Sequence, residues 1–175
     1  MEKSFVGSGP VPDRYPKRKR IHLQYYDYSQ DGLYFVTICI QDRLCLLGQI
    51  LDNQMHLNDA GKMIEKIYLE LENFYASVKC LDYVIMPNHV HFIVQIENNG
   101  ELSLSLFDVI QRFKSITNVE YIKNVKMNDW RPFNRKLWQR SYYEHIIRDE
   151  KDYLNIAEYI EFNPYNWQKD TLFQP

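Results

Sequence analysis

The sequence predicts an α+β fold, a central and mostly antiparallel sheet with helices packed against it. Three observations carry that prediction. Short β-branched and aromatic runs interleave with longer stretches whose apolar residues recur every three to four positions. A length of 175 residues fits one compact domain and leaves no room for two. An apolar share of 45% is ample for a packed core and excludes wholesale disorder.

Residues 1–20 are polar and punctuated by Gly7, Gly9, Pro10, Pro12 and Pro16, so the domain reads as 21–175 behind a flexible N-terminal arm. Tyr34 to Ile40 is β-branched and aromatic, the pattern of a buried strand. Leu46 to Leu51 and Gln54 to Leu57 read as a hairpin turning at Asp52-Asn53. Asn58 is placed to cap a helix over 59–75, whose apolar stripe is Met63, Ile64, Ile67, Leu71 and Phe74. Val84 to Met86 and Val90 to Ile96 are strands flanking Pro87-Asn88. Leu106, Val109, Ile110, Phe113, Ile116 and Val119 mark a second amphipathic helix over 103–123, followed by a basic loop over 124–136. Tyr142 to Ile147 reads as a strand. A third helix over 149–162 turns Ile156, Ala157 and Ile160 to the core and stops at Asn163-Pro164, because the residue before proline is pushed away from helical angles.

The 21 Lys and Arg against 23 Asp and Glu give a net charge of -2, which argues against a nonspecific polycation. That average hides two unlike regions. Residues 1–20 hold six basic and two acidic side chains, a net of +4, leaving -6 for the remaining 155. Arg14, Lys17, Arg18, Lys19 and Arg20 form the basic cluster of the arm, either a solvated tail or a set of phosphate contacts. Arg112 and Lys114 on the second helix are open to the same two readings. Trp130, Phe133 and Trp138 interleave with the basic loop and can stack on bases or anchor it; Trp138 is read as packing. Three cysteines without C-x-x-C spacing make a disulfide framework or zinc-thiolate site unexpected and fit a reducing cytoplasm. No apolar run reaches the ~18 residues of a membrane helix, so no membrane partner is expected.

His89-Val90-His91 is the strongest local signal. On a strand, positions i and i+2 share a face, so both imidazoles can reach one cation while Val90, Phe92 and Val94 face the apolar side. By itself the motif is weak, because half-buried strand histidines are often structural. Tyr159 and Asn163 are i, i+4 on the third helix and so share its face. His145 has no second ligand at short spacing and is read as structural.

Three ordered blocks sharpen the picture. Tyr83-Val84-Ile85-Met86-Pro87-Asn88-His89-Val90-His91-Phe92-Ile93-Val94, then the run from Leu137 to Glu150, then Tyr159-Ile160-Glu161-Phe162-Asn163-Pro164 with Trp167, resemble the IS200-like transposases of the single-tyrosine HUH class. The likeness spans about Arg18 to Trp167 and extends to the REP-associated tyrosine transposases, which act on repetitive extragenic palindromes. It implies an HUH endonuclease domain of ferredoxin/RRM-like type. It implies Tyr159 as nucleophile, with His89, His91 and Asn163 as ligands of Mg²⁺ or Mn²⁺. It implies cleavage of single-stranded or hairpin DNA through a 5′-phosphotyrosine, by a cytoplasmic, nucleoid-associated protein that is a monomer or homodimer. The alternative is a non-catalytic module binding hairpin DNA or RNA. A histidine phosphoesterase would need two H-x-T/S motifs, and His22, His56 and His145 lack Thr or Ser at i+2.

Overall fold

The computed structural model describes residues 31–98 and 104–174. Strand β1 (Gly32–Cys39) is followed by a 3-10 turn at Gln41–Arg43 and by the hairpin β2 (Gly48–Leu51) and β3 (Gln54–Leu57). Asp52 and Asn53 at the hairpin tip both have positive φ (50° and 61°), as the tight turn between twisted antiparallel strands requires. Helix α1 (Asp59–Leu69) starts where the Asn58 side chain accepts the Gly61 N–H, and a break at Glu70 separates it from the one-turn α2 (Leu71–Phe74). The expected single helix over 59–75 is therefore two. Ile64, Ile67 and Leu71 are buried as the stripe required, whereas Phe74 beyond the break is exposed.

Strands β4 (Val78–Met86) and β5 (His89–Ile96) form a hairpin around Pro87-Asn88. β4 begins six residues before Val84, because a register shift between Cys80 and Tyr83 breaks the alternation that would have revealed its first half. Helix α3 (Leu106–Met127) carries a Ser105/Asp108 capping box, which seals its first turn, and runs past residue 123 into the expected loop. Strand β6 (Tyr143–Ile147) and helix α4 (Glu150–Glu161), capped by Asp149, complete the chain order, followed by a 3-10 turn at Trp167–Lys169.

Four strands join in the order β4-β5-β1-β6, every neighbouring pair antiparallel. With α1 between β1 and β4 and α3 between β5 and β6, this is the β-α-β-β-α-β ferredoxin-like arrangement. Strand alternation divides the sheet into two faces. Tyr34, Val36, Ile38, Val90, Phe92 and Val94 point to one side and pack with Ile64, Tyr68, Ile110 and Phe113 of α1 and α3 in the main core. Phe35, Ile93 and Ile147 point to the other side, where Ile160 of α4 closes a smaller cluster. Trp138 is buried, and its indole N–H donates to Thr117 Oγ1 over 2.8 Å, so it packs as expected. Trp130 and Phe133 anchor the basic loop against the Tyr121 ring. Among the described residues no helix is long and apolar enough to cross a membrane, and all three cysteines are free thiols.

Candidate active site

The polar centre sits on the smaller-cluster face. β5 presents His89 and His91 there, two residues apart, with ring centroids 4.5 Å from each other and both side chains fully buried. Burial pushes both imidazoles down, His89 to about 3, so both are neutral near pH 7. A neutral imidazole has one N–H and one lone pair, and the neighbours fix which is which. Asn88 spends its Nδ2 hydrogens on the carbonyls of Leu172 (2.8 Å) and Arg43 (3.2 Å). Its Oδ1, an acceptor only, therefore faces His89 Nδ1 at 2.8 Å, and Nδ1 must carry the proton. The lone pair is left on His89 Nε2, which is buried and has no hydrogen-bond partner. Thr37, directly opposite His91 on β1, places its hydroxyl 2.8 Å from His91 Nδ1, where it can accept the Nδ1 proton, and so holds the ring with Nε2 aimed into the site.

Around those lone pairs stand further acceptors. Asp170 Oδ2 lies 3.9 Å from His89 Nε2, and its side chain is only 6% exposed. Burial raises the Asp170 pKa. Asn163 Oδ1 is buried without a hydrogen-bond partner. Ligand atoms of His89, His91 and Asp170 all lie within 4.8 Å of one another. Three kinds of acceptor converge, and two of the acceptor atoms, His89 Nε2 and Asn163 Oδ1, meet no donor. A water-excluded arrangement of that kind is costly unless a cation occupies its centre. The donor set of imidazole nitrogens, a carboxylate and an amide oxygen suits a divalent ion.

Helix α4 crosses this face and brings Tyr159 to the centre. The Tyr159 hydroxyl is 3.3 Å from His91 Nε2, and its ring meets His91 edge-on at 5.2 Å. Phe35 fixes both: it stacks on His91 at 5.4 Å and meets Tyr159 edge-on at 6.0 Å. His145 Nε2 pairs with Asp152 Oδ2 at 2.8 Å, tying β6 to the first turn of α4 and away from the cation site. After Asn163-Pro164 the chain folds back, and Trp167 packs 5.9 Å from His89. That return brings in Asp170, which sequence spacing did not reveal. Nor did it reveal the orienting roles of Thr37 and Asn88.

The structure thus gathers His89, His91, Asn163 and Tyr159 at one centre within one chain. It does not gather the expected DNA-binding residues there. Arg112 lies over the Phe74 ring at 5.0 Å. The Lys114 ammonium donates to the carbonyls of Gln139 (3.0 Å), Arg140 (3.3 Å) and Ser141 (3.5 Å), contacts with which a phosphate would compete. Arg14, Lys17, Arg18, Lys19 and Arg20 lie outside the described residues.

Comparison with known proteins converges on one family. The family model described as "Transposase IS200 like" matches residues 48–163. An uncharacterised protein of Haemophilus influenzae is 39% identical over 167 residues, covering 89% of this chain and 93% of that protein. The REP-associated tyrosine transposase of Escherichia coli K12 is 29% identical over 150 residues, covering 85% of this chain and 76% of that protein. A REP-associated tyrosine transposase solved bound to a REP hairpin superposes with a TM-score of 0.56 at 20% identity, over 85% of this chain and 74% of the other, and is similar in fold.

Proposed function

The chain belongs to the IS200-like transposase family, and from that footing we propose that it is a metal-dependent single-strand DNA endonuclease and strand transferase acting on hairpin or palindromic DNA. The observation that carries this reading is the Tyr159 hydroxyl, held 3.3 Å from His91 Nε2 beside a buried cluster of acceptors.

His89, His91 and Asp170 would hold the divalent cation, with Asn163 completing the set, and Mg²⁺ or Mn²⁺ fits these ligands. Such an ion supplies electrostatic stabilisation of the charge that builds on the phosphate during attack. The chain's own residues do the rest. Tyr159 is the nucleophile: its oxygen bonds to phosphorus, and the bond to the 3′ oxygen breaks. One strand end becomes a 5′-phosphotyrosine, and the other leaves as a 3′-hydroxyl. The covalent link conserves the phosphodiester for rejoining to another 3′-hydroxyl. Phe35 and the helix position of Tyr159 orient the phenol, while Thr37 and Asn88 hold each imidazole lone pair toward the site. Because the tyrosine reaches the histidines of its own chain, one chain carries a complete reaction centre. Residues 1–20 act as a basic arm on the DNA backbone in front of the 21–175 domain, and the enzyme works in the cytoplasm on nucleoid DNA.

The test is a denaturing gel with a labelled hairpin DNA carrying single-stranded flanks, run with and without Mn²⁺. Wild-type protein gives a covalent adduct only with the metal. Tyr159→Phe gives none while keeping its thermal midpoint. An adduct that persists in Tyr159→Phe overturns the assignment of the nucleophile. Hairpin binding without any adduct in wild type supports the alternative, a non-catalytic module.

A further inference from the structure

Just past the end of β1 the chain enters an unusual turn. Asp42 and Arg43 both hold positive φ (59° and 55°), a conformation that side chains larger than glycine adopt only where surroundings enforce it. The enforcing contacts run from the Arg43 N–H to the Ile40 carbonyl, from Asn88 to the Arg43 carbonyl, and from the Arg43 guanidinium to the Thr171 carbonyl. Opposite this turn lies the segment before β6, pinned by the Gln139 N–H on the Cys39 carbonyl and by the Lys114 ammonium beneath it. Between them is a cleft of about 470 Å³ lined by Gln41, Asp42, Arg43, Lys136, Gln139 and Arg140.

Its charge is not balanced internally. Lys136 and Arg140 enter no ion pair among the described residues, whereas the charge of Arg43 acts on Asp170, and the one carboxylate of the cleft, Asp42, accepts from the Gln41 amide. Lys136 and Arg140 are exposed. A concave surface with surplus positive charge attracts a polyanion. Its position names which part of that polyanion. Cys39, whose carbonyl accepts the Gln139 N–H, pairs with His89 across the β1–β5 ladder, and Asn88 bridges Arg43 to His89 through its side chain. The cleft therefore adjoins the reaction centre.

Resting on the reading of this protein as a single-strand DNA enzyme, we propose that the cleft between Gln41–Arg43 and residues 136–141 seats the single-stranded segment next to the scissile phosphate. Lys136 and Arg140 hold backbone phosphates, and the amides of Gln41 and Gln139 meet the edge of a base. Arg43 stands between this subsite and the cation site and keeps its turn rigid.

The experiment measures binding of full-length protein in Mn²⁺ to two fluorescent DNA probes. One is a hairpin with ten-nucleotide single-stranded flanks; the other is the same hairpin without them. The double variant Lys136→Ala/Arg140→Ala is expected to bind the flanked hairpin about tenfold or more weaker, and to lower the slope of log affinity on log salt by ~1.4, two single-strand phosphate contacts at ~0.7 each. Its affinity for the unflanked hairpin stays the same. The charge-keeping double variant Lys136→Arg/Arg140→Lys restores the slope. Equal losses on both probes, or no loss on either, overturn the subsite. Adduct formation is scored separately. Adduct in wild type with unaltered flanked-hairpin binding in the alanine variant sinks the subsite alone. Flank-dependent binding with no adduct in wild type sinks the enzymatic reading and leaves the subsite standing.

Discussion

Strand β5 has two sides that are equally dry and chemically opposite. Val90, Phe92 and Val94 on one side and His89 and His91 on the other are all at most 1% exposed. On the first side the contacts are between rings and aliphatic chains, and Phe92 packs between the Tyr68 and Phe113 rings at 4.7 and 5.7 Å. On the second, Asn88 fixes the His89 proton on Nδ1 and leaves its Nε2 lone pair facing the Asp170 carboxylate, while the hydroxyls of Thr37 and Tyr159 flank the two nitrogens of His91. Burial alone does not separate core from site on this strand. The balance of donors and acceptors does: the apolar side is complete as it stands, and the polar side is complete only with a cation.

The largest test of that contrast is Phe92→Ala. Removing a fully buried aromatic ring from the main core is expected to cost about 3–5 kcal/mol, read by urea unfolding. The cost is the same in EDTA and in Mn²⁺, because the lesion lies on the side that needs no ion. A cost that depends on Mn²⁺ would show that the two faces are not separate.

The second test acts on the other side. An ion bound by the folded state and not by the unfolded chain stabilises it by ~2.7 kcal/mol at a hundredfold excess over its dissociation constant. Wild-type protein is expected to gain about that much on going from EDTA to saturating Mn²⁺, and Asp170→Ala to lose most of the gain. No gain in wild type would break the comparison, since the acceptor cluster would then be complete without an ion.

The same contrast explains what was legible in the sequence. Alternation on β5 placed Val90, Phe92 and Val94 on one face and His89 and His91 on the other, since strand geometry fixes that from spacing alone. Helical spacing put Tyr159 and Asn163 on one face of the third helix, and although α4 ends at Glu161, the turn that follows keeps Asn163 at the same end of the site. Asp170 was not legible. It follows Asn163 by seven residues through turns that have no period, and contacts of Trp167, Thr171 and Leu172 with distant residues fold it back onto His89. The first half of β4 was hidden by its register shift. On α3 the expected stripe fails at Val119, which is 59% exposed, while Thr117 and Tyr121 take the buried positions. Thr117 can be there because its hydroxyl meets the Trp138 indole, a partner distant in sequence. Tertiary partners decided each of these positions, and no local pattern records them.

The smallest expected effect separates orientation from packing. Thr37 and Val36 are adjacent on β1, nearly equal in size, buried, and on opposite faces. The Thr37 hydroxyl holds His91 Nδ1 at 2.8 Å. Thr37→Val keeps the volume and removes the hydroxyl beside Nδ1, so the imidazole whose Nε2 faces the ion site loses an orienting partner. Loss of such an orienting partner weakens a metal site ~10–100-fold, equivalent to ~1.4–2.7 kcal/mol, measurable as a rightward shift of a Mn²⁺ titration followed by thermal midpoint. Thr37→Ser retains the hydroxyl and should titrate like wild type. The reciprocal change, Val36→Thr, buries a hydroxyl among apolar side chains and should lower stability without shifting the Mn²⁺ midpoint. If Thr37→Val and Val36→Thr shifted the titration alike, Thr37 would be acting through packing, and His91 would owe its orientation to Phe35 and the backbone instead.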